Sequence, residues 1–286
     1  MLVIVGCIVV VGAVLGGFVL SGGHIGALIH PAELLTIGGA ALGGLIVSSP
    51  KKVLVDLAKG LVSTMKGTPY NRAAYDELFK CLYDLLRMAR RDGMRVLEGH
   101  VADPENSTVF AKYPRIGHDH HVTAFICGAM APLIESTAKP EQLAALLEME
   151  IKIIEEEHHA PTMALNKVGD ALPGFGIVAA VLGIVITMGH IDGPPSEIGH
   201  KVGAALVGTF LGILASYGFV APLATRLEFL GHNEMGFFRT IAAIVVGFAD
   251  NLPPKVAIDL ARRGVASEFR ADRNELDELF KEAEAA

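Results

Sequence analysis

Four stretches of this chain contain no Asp, Glu, Lys or Arg, and they constrain its fold more than any other feature: residues 1–23, 34–50, 171–189 and 202–225. A helix rises about 1.5 Å per residue and the hydrocarbon of a bilayer is about 30 Å thick, so apolar runs of about 20 residues match a crossing. In lipid a backbone amide finds no water to bond, and a helix satisfies its own. The 34–50 run is short, so its flanks must snorkel or the bilayer must thin around it. The pattern predicts an all-α integral membrane protein with four transmembrane helices, at 1–23, 31–50, 170–190 and 201–225. A large helical cytoplasmic domain, 51–169, lies between the second and third, and a helical cytoplasmic region, 226–286, follows the fourth.

The composition agrees. Of 286 residues 51% are hydrophobic and 19% charged, a balance that suits a membrane protein with substantial wet parts. A formal net charge of -7 excludes a general nucleic-acid binder, which presents a dense basic face. Cys7, Cys81 and Cys127 are too scattered for a disulfide framework and form no CxxC pair, so they read as reduced thiols. Residues 1–23 lack a basic start and a clear cleavage site, which makes them a retained helix and not a secretory leader. With no Trp in the chain, an interfacial belt falls to Phe175, Tyr217 and Phe219. The connectors 21–30 and 190–200 hold no Lys or Arg, whereas Lys51, Lys52, Lys59 and Lys66 follow the second run and Arg226 follows the fourth. Positive charge stays on the cytoplasmic side, which places both termini there.

Small residues recur at four-residue spacing inside the runs: Gly12 and Gly16, Gly39 and Gly43, Ala179 and Gly183, Gly208 and Gly212. Such positions let helix backbones approach in lipid, where packing must replace hydrophobic drive. Outside the runs, 70–94 carries Leu78, Leu82, Leu85, Leu86 and Ala89 at helical spacing, with Gly93 as a left-handed cap. A second amphipathic helix is expected at 140–159, with Leu143, Leu146, Leu147, Ile151 and Ile154 on one face and Glu155–His159 at its end. Residues 241–249 are too short to span and are expected in a bundle.

Catalytic chemistry has little to stand on. His118, Asp119, His120 and His121 form a loop cluster, but adjacent histidines on one loop rarely converge on one ion, so the cluster reads as solvated surface. The sequence holds no G-x-S-x-G, H-E-x-x-H, Walker loop or G-x-G-x-x-G, and the chain reads as neither an enzyme nor a cofactor or metal protein. A relay that moves ions normally carries an Asp, Glu or His at depth. None lies mid-run here; Glu33 and Asp170 stand at the ends, where an interfacial role serves equally well. Either no ion moves, or a partner helix brings the carboxylate.

The stretches VGDALPGFGIVAAVLGIV, VGTFLGILASYGFVAPLA, GGHIGALIHPAELLTIGGA and ARRDGMRVLE, with FAKYPRI and LPPKVAIDLARR, resemble the flagellar motor stator subunit of the MotA/PomA type. The resemblance runs over nearly the whole chain and fits the four-span topology. It implies a multi-pass protein of the bacterial inner membrane that converts proton-motive force into torque. It further implies a pentamer around two copies of a MotB-type, peptidoglycan-anchored partner, which supplies the ion-binding Asp, and a FliG-type switch protein on the rotor.

Carried over by position, Pro173 and Pro222 match the prolines that couple ion passage to movement. A proline removes a backbone donor and bends a helix, and a purely structural kink is the plainer alternative. Thr209 and Tyr217 match residues lining the ion path; a Thr209 hydroxyl bonded to its own helix is the plainer alternative. Sodium-driven relatives carry threonines where this chain has Ala180 and Gly208. Sodium needs several oxygen ligands and a proton does not, so H+ is the expected ion, with a sodium-driven stator as the alternative. Arg90 and Glu98 match charges that face the rotor, although Arg91 and Arg95 leave the sign of the local field open. An ExbB/TolQ-type energising subunit is the nearest rival; those chains usually have three spans.

Overall fold

The computed structural model describes residues 2–285, and every regular element among them is helical. Helix α1 spans Leu2–Leu20; after a 3-10 turn at Ile25–Leu28 come α2 (Pro31–Ser48) and α3 (Lys51–Lys66). Then follow α4 (Arg72–Asp92), the short α5 (Glu98–Ala102) and α6 (Pro114–Gly117), and α7 (His120–Ile134). A long α8 (Pro140–Met188) leads to α9 (Pro195–Ala215), a π turn at Ser216–Val220 and α10 (Ala221–Ala249). Helices α11 (Pro254–Arg262) and α12 (Arg273–Ala285) complete the described chain.

Among the described residues, four helical segments are long and apolar enough to cross a membrane: Leu2–Leu20, Ile25–Ser48, Pro140–Met188 and Pro195–Ala249. The chain divides into two compact units, one holding the residues up to Gly67 with Glu157–Leu230, the other Thr68–Glu156 and everything from Gly231 on. One division falls just after α3, the other two inside α8 and α10, and none at the end of an uncharged run, so 51–67 and 157–169 belong to the first unit.

The first unit wears its apolar side outward. Helix α1 buries no residue within the chain and exposes Leu2, Ile4, Val5, Ile8 and Val9. Val181, Leu182, Val185 and Ile186 of α8 are equally bare. Water does not tolerate so large an apolar patch; lipid or protein neighbours do. What the unit does bury is small and local: Ile37, Ala41, Leu172 and Ala179 in one cluster, Leu57, Leu165 and Ala224 in another. Lys52 of α3 forms an ion pair with Glu157.

The second unit is built like a water-soluble core. Asn71 caps α4, its side chain accepting from the Ala74 amide at 3.2 Å, and Leu78, Leu82, Leu85, Leu86 and Ala89 all turn inward. Gly93 ends the helix with φ +91°, as only glycine does cheaply, but its ψ of 159° is extended instead of left-handed helical. The chain therefore passes directly into a 3-10 turn at Met94–Leu97.

Rings lock the interior. Tyr75 meets Phe237 edge-on at 4.9 Å, Phe125 meets Phe238 at 5.0 Å, and Tyr83 meets Phe280 at 4.7 Å. Burial raises the Tyr75 phenol to about 12. Burial, helped by Glu234 and Asp119, raises Tyr70 further, so it stays a proton donor to Asp119 (3.2 Å) and Glu234 (3.4 Å). Helix α12 buries Leu276, Phe280 and Ala283, while Arg72 reaches Glu275 at 3.0 Å and Lys80 reaches Glu282 at 3.2 Å.

Residues 241–249 lie in this core through Ile241, Ile244 and Val245, the bundle packing the sequence predicts. Two expectations change. The helix that begins at Pro140 does not end near His159 but continues to Met188, so Glu155–His159 lie mid-helix. On its inner line Leu143, Leu147 and Ile151 are buried at four-residue spacing; Leu146, rotated about 100° from Leu147, is 50% exposed.

Replacing Phe237 by Ala is expected to destabilise this unit by about 3–5 kcal/mol, the loss typical of a buried ring. Leu260→Ala, at a half-exposed site, should cost under about 1 kcal/mol. Urea unfolding of the purified protein, followed by tyrosine fluorescence, measures both; equal losses would contradict the core position of Phe237.

Candidate functional site

The third and fourth apolar runs meet, within the first unit, along a seam of missing side chains. A Cβ added at Gly176 would stand 2.9 Å from the Gly208 carbonyl oxygen and 3.2 Å from the Cα atoms of Gly212 and Thr209. One added at Gly212 would reach the Leu172 carbonyl oxygen at 2.6 Å, and one at Gly183 the Ala205 Cβ at 2.8 Å. Ala179 covers Gly208, whose added Cβ would lie 3.2 Å from it. Helices α8 and α9 thus touch backbone to backbone, which larger residues forbid. Gly12, Gly16, Gly39 and Gly43 have nothing within 4 Å in this chain.

Pro173 sits inside α8 without breaking it. It has no N–H, so the Gly169 carbonyl four residues back loses its in-helix donor. The buried Ser216 supplies the replacement: its hydroxyl donates to the Gly169 oxygen at 2.7 Å. Ser216 also opens the π turn, in which the Ala221 amide donates to the Ser216 carbonyl five residues back. That widened turn ends just ahead of Pro222, an exposed residue in the first turn of α10.

Thr209 is half-buried at the seam and, with Leu206, Phe210, Ile213 and Leu214, lines an open groove of about 470 Å³. Ala180 is half-buried against Gly208. Tyr217 is 70% exposed, away from the seam. Glu33, which the sequence leaves at a membrane end, is drawn against α9, its Cγ 3.5 Å from the added Cβ position of Gly208. Its carboxylate lies 4.0 Å from His30 Nδ1, and the His30 and His200 rings are 6.2 Å apart. Asp170 is exposed.

Within the second unit, Arg90 lies in the last turn of α4 and Glu98 opens α5. Both are exposed, and neither has an ion-pair partner among the described residues. Arg91 donates to Asp92 at 2.7 Å and holds that carboxyl below its usual range, which leaves Arg90 and Arg95 as the open positive charges. The histidine cluster has a structural explanation: Asp119 caps α7, accepting from the amides of His121 and Val122 at 3.1 and 3.2 Å. Among the described residues no three His, Cys, Asp or Glu side chains gather for a metal ion.

Sequence reasoning passed over Gly176, Ser216 and the placement of Glu33. A signal for Ser216 existed: Pro173 names Gly169 as a carbonyl in need of a donor, and Ser216 is the one serine in 201–225.

Residues 4–93 match the family model Motility protein A N-terminal, and residues 118–239 match the MotA/TolQ/ExbB proton channel family. Motility protein A of Salmonella typhimurium is 37% identical over 278 residues, 97% of this chain and 94% of that one. The chain belongs to the motility protein A family. Chemotaxis protein LafT of Vibrio parahaemolyticus is also 37% identical, over 98% of both chains. The fold is that of a chain in the structure of C. jejuni MotAB, with a TM-score of 0.78 at 22% identity, covering 95% of this chain and 98% of that one. A chain of the Bacillus subtilis flagellar MotAB stator complex gives 0.72 at 23% identity, over 90% and 92%. As a member of this family, the chain is a flagellar stator subunit in a proton channel family, a multi-pass helical protein of the inner membrane, and not an enzyme.

Gly212→Ala is expected to separate α8 from α9 and abolish swimming, because the backbone at Leu172 cannot yield. Gly203→Ala, with nothing within 4 Å, should leave swimming intact in soft agar at matched protein levels. Free swimming by Gly212→Ala would contradict the closed seam.

Proposed function

We propose that this chain is the wall of a proton path whose titrating carboxylate belongs to a MotB-type partner, with five copies ringing a partner dimer. The observation that carries this reading is the closed seam: even a Cβ at Gly212 would stand only 2.6 Å from the Leu172 carbonyl oxygen, so no ion fits between the two helices of one chain there. A path must then run along their outer face, where Thr209 and the Pro173 turn can face a helix from another protein. The bare apolar sides of α1, α8 and α9 leave room for such neighbours.

The positive charge of Lys51, Lys52 and Lys59 after the second run and of Arg226 after the fourth supports four crossings with both termini in the cytoplasm. The second unit and its charges Arg90 and Glu98 then face a FliG-type rotor protein. Ala180 and Gly208 offer no side-chain oxygen to a dehydrated sodium ion, which favours protons. One charge falling through ~150 mV releases about 3.5 kcal/mol, enough to bias a conformational step. Pro173 and Pro222 are the points at which that step bends the chain, with Thr209 and Tyr217 along the path.

Cells carrying Pro173→Ala or Pro222→Ala should assemble flagella yet swim weakly or not at all; normal swimming removes the coupling role. Rotation should stop with a protonophore and ignore the removal of sodium, and the reverse result rejects the proton. Arg90→Glu should lower torque, with part of it regained by an opposite reversal on the rotor; tethered-cell rotation reads both.

A further inference from the structure

Ser216 departs from what hydroxyls elsewhere in these helices do. Thr36, Thr187 and Thr225 each donate to the carbonyl four residues back in their own helix, at 2.9, 2.8 and 3.2 Å. Ser216 ignores its own helix and donates across the seam, 47 residues away, at 2.7 Å and 2% exposure. Its acceptor is the Gly169 carbonyl, the one that Pro173 leaves without a backbone donor.

Gly169 lets this happen: a Cβ there would already stand 3.4 Å from Val220 Cγ1 and 3.9 Å from the Ala221 amide. Meanwhile the backbone oxygen of Ser216 accepts from Ala221, the residue next to Pro222. The two oxygens of one residue therefore reach both proline turns. π turns concentrate at working sites, because an extra residue in the coil can be taken up or passed along.

We infer that Ser216 is a positioning residue that ties the Pro173 turn to the Pro222 turn through the Gly169 carbonyl. The inference rests on the coupling role proposed above for the two prolines. A bend at Pro173 must carry Ser216 with it or release the bond, and either event is felt in the π turn. Removing the hydroxyl leaves a buried carbonyl unanswered and shifts the balance between bonded and released arrangements by about fivefold.

The test uses the stator complex assembled with its partner. Ser216→Ala should reach the membrane and co-purify with the partner at normal levels, yet deliver lower torque in tethered cells. Ser216→Cys, a weak donor of similar size, should restore part of it. Thermal unfolding of the purified complex supplies a second reading that does not depend on motility. Ser216→Ala should lower the midpoint in the native background but not with Pro173→Ala, where the new N–H takes the Gly169 carbonyl.

Equal lowering in both backgrounds, or normal torque from Ser216→Ala at normal levels, overturns the inference. Should Ser216→Ala fail to accumulate, adding Pro173→Ala must recover it, and failure to do so also overturns the inference. Normal swimming by Pro173→Ala is a different result: it removes the proline coupling role, while the thermal comparison still decides the bond.

Discussion

Contact between two glycine-lined backbones sets the terms for everything else in the apolar half of this molecule. Because Gly176, Gly208 and Gly212 lack side chains, α8 and α9 close against each other with no room for water or an ion. In lipid there is little hydrophobic drive to bring helices together, so stability comes from dispersion across such contacts and from interhelical hydrogen bonds. The Ser216–Gly169 bond belongs to the same seam and needs it: without the close approach the hydroxyl could not reach. Closure inside one chain is the feature on which the proposed path along its outer face rests.

The two units obey opposite rules of burial. In the second, large rings and leucines vanish from solvent and polar groups are answered, as in Tyr70 with Asp119 and Glu234. In the first, many bulky apolar residues of α1 and α8 face outward while small ones line the α8–α9 seam, an arrangement that suits a solvent as apolar as leucine itself. Each unit is consistent with a different surrounding medium, and the long helices α8 and α10 carry sequence suited to both.

Local periodicity made much of this legible. The uncharged runs marked the apolar segments, and the spacing of Leu78, Leu82, Leu85, Leu86 and Ala89 marked a buried face, since both patterns depend on the turn of one helix. Helix ends were less legible: the polar cluster Glu155–His159 reads as the end of a helix, yet α8 runs on through Pro161 and Pro173 to Met188. Leu146 was misplaced by one residue's rotation. The contacts of Ser216 with Gly169 and of Glu33 with Gly208 were harder to read, since these pairs lie far apart in sequence and the folded seam brings them close, although the carbonyl freed by Pro173 hinted at the first.

The pairing of Arg91 with Asp92 leaves a sparse outer face in which Arg90 and Arg95 stand free. At cellular salt the pull of such charges fades over about 8 Å. In the rotor contact proposed above, a partner charge would therefore have to come into touching range of Arg90, and force would pass the way it does between meshing teeth, only where the two faces meet.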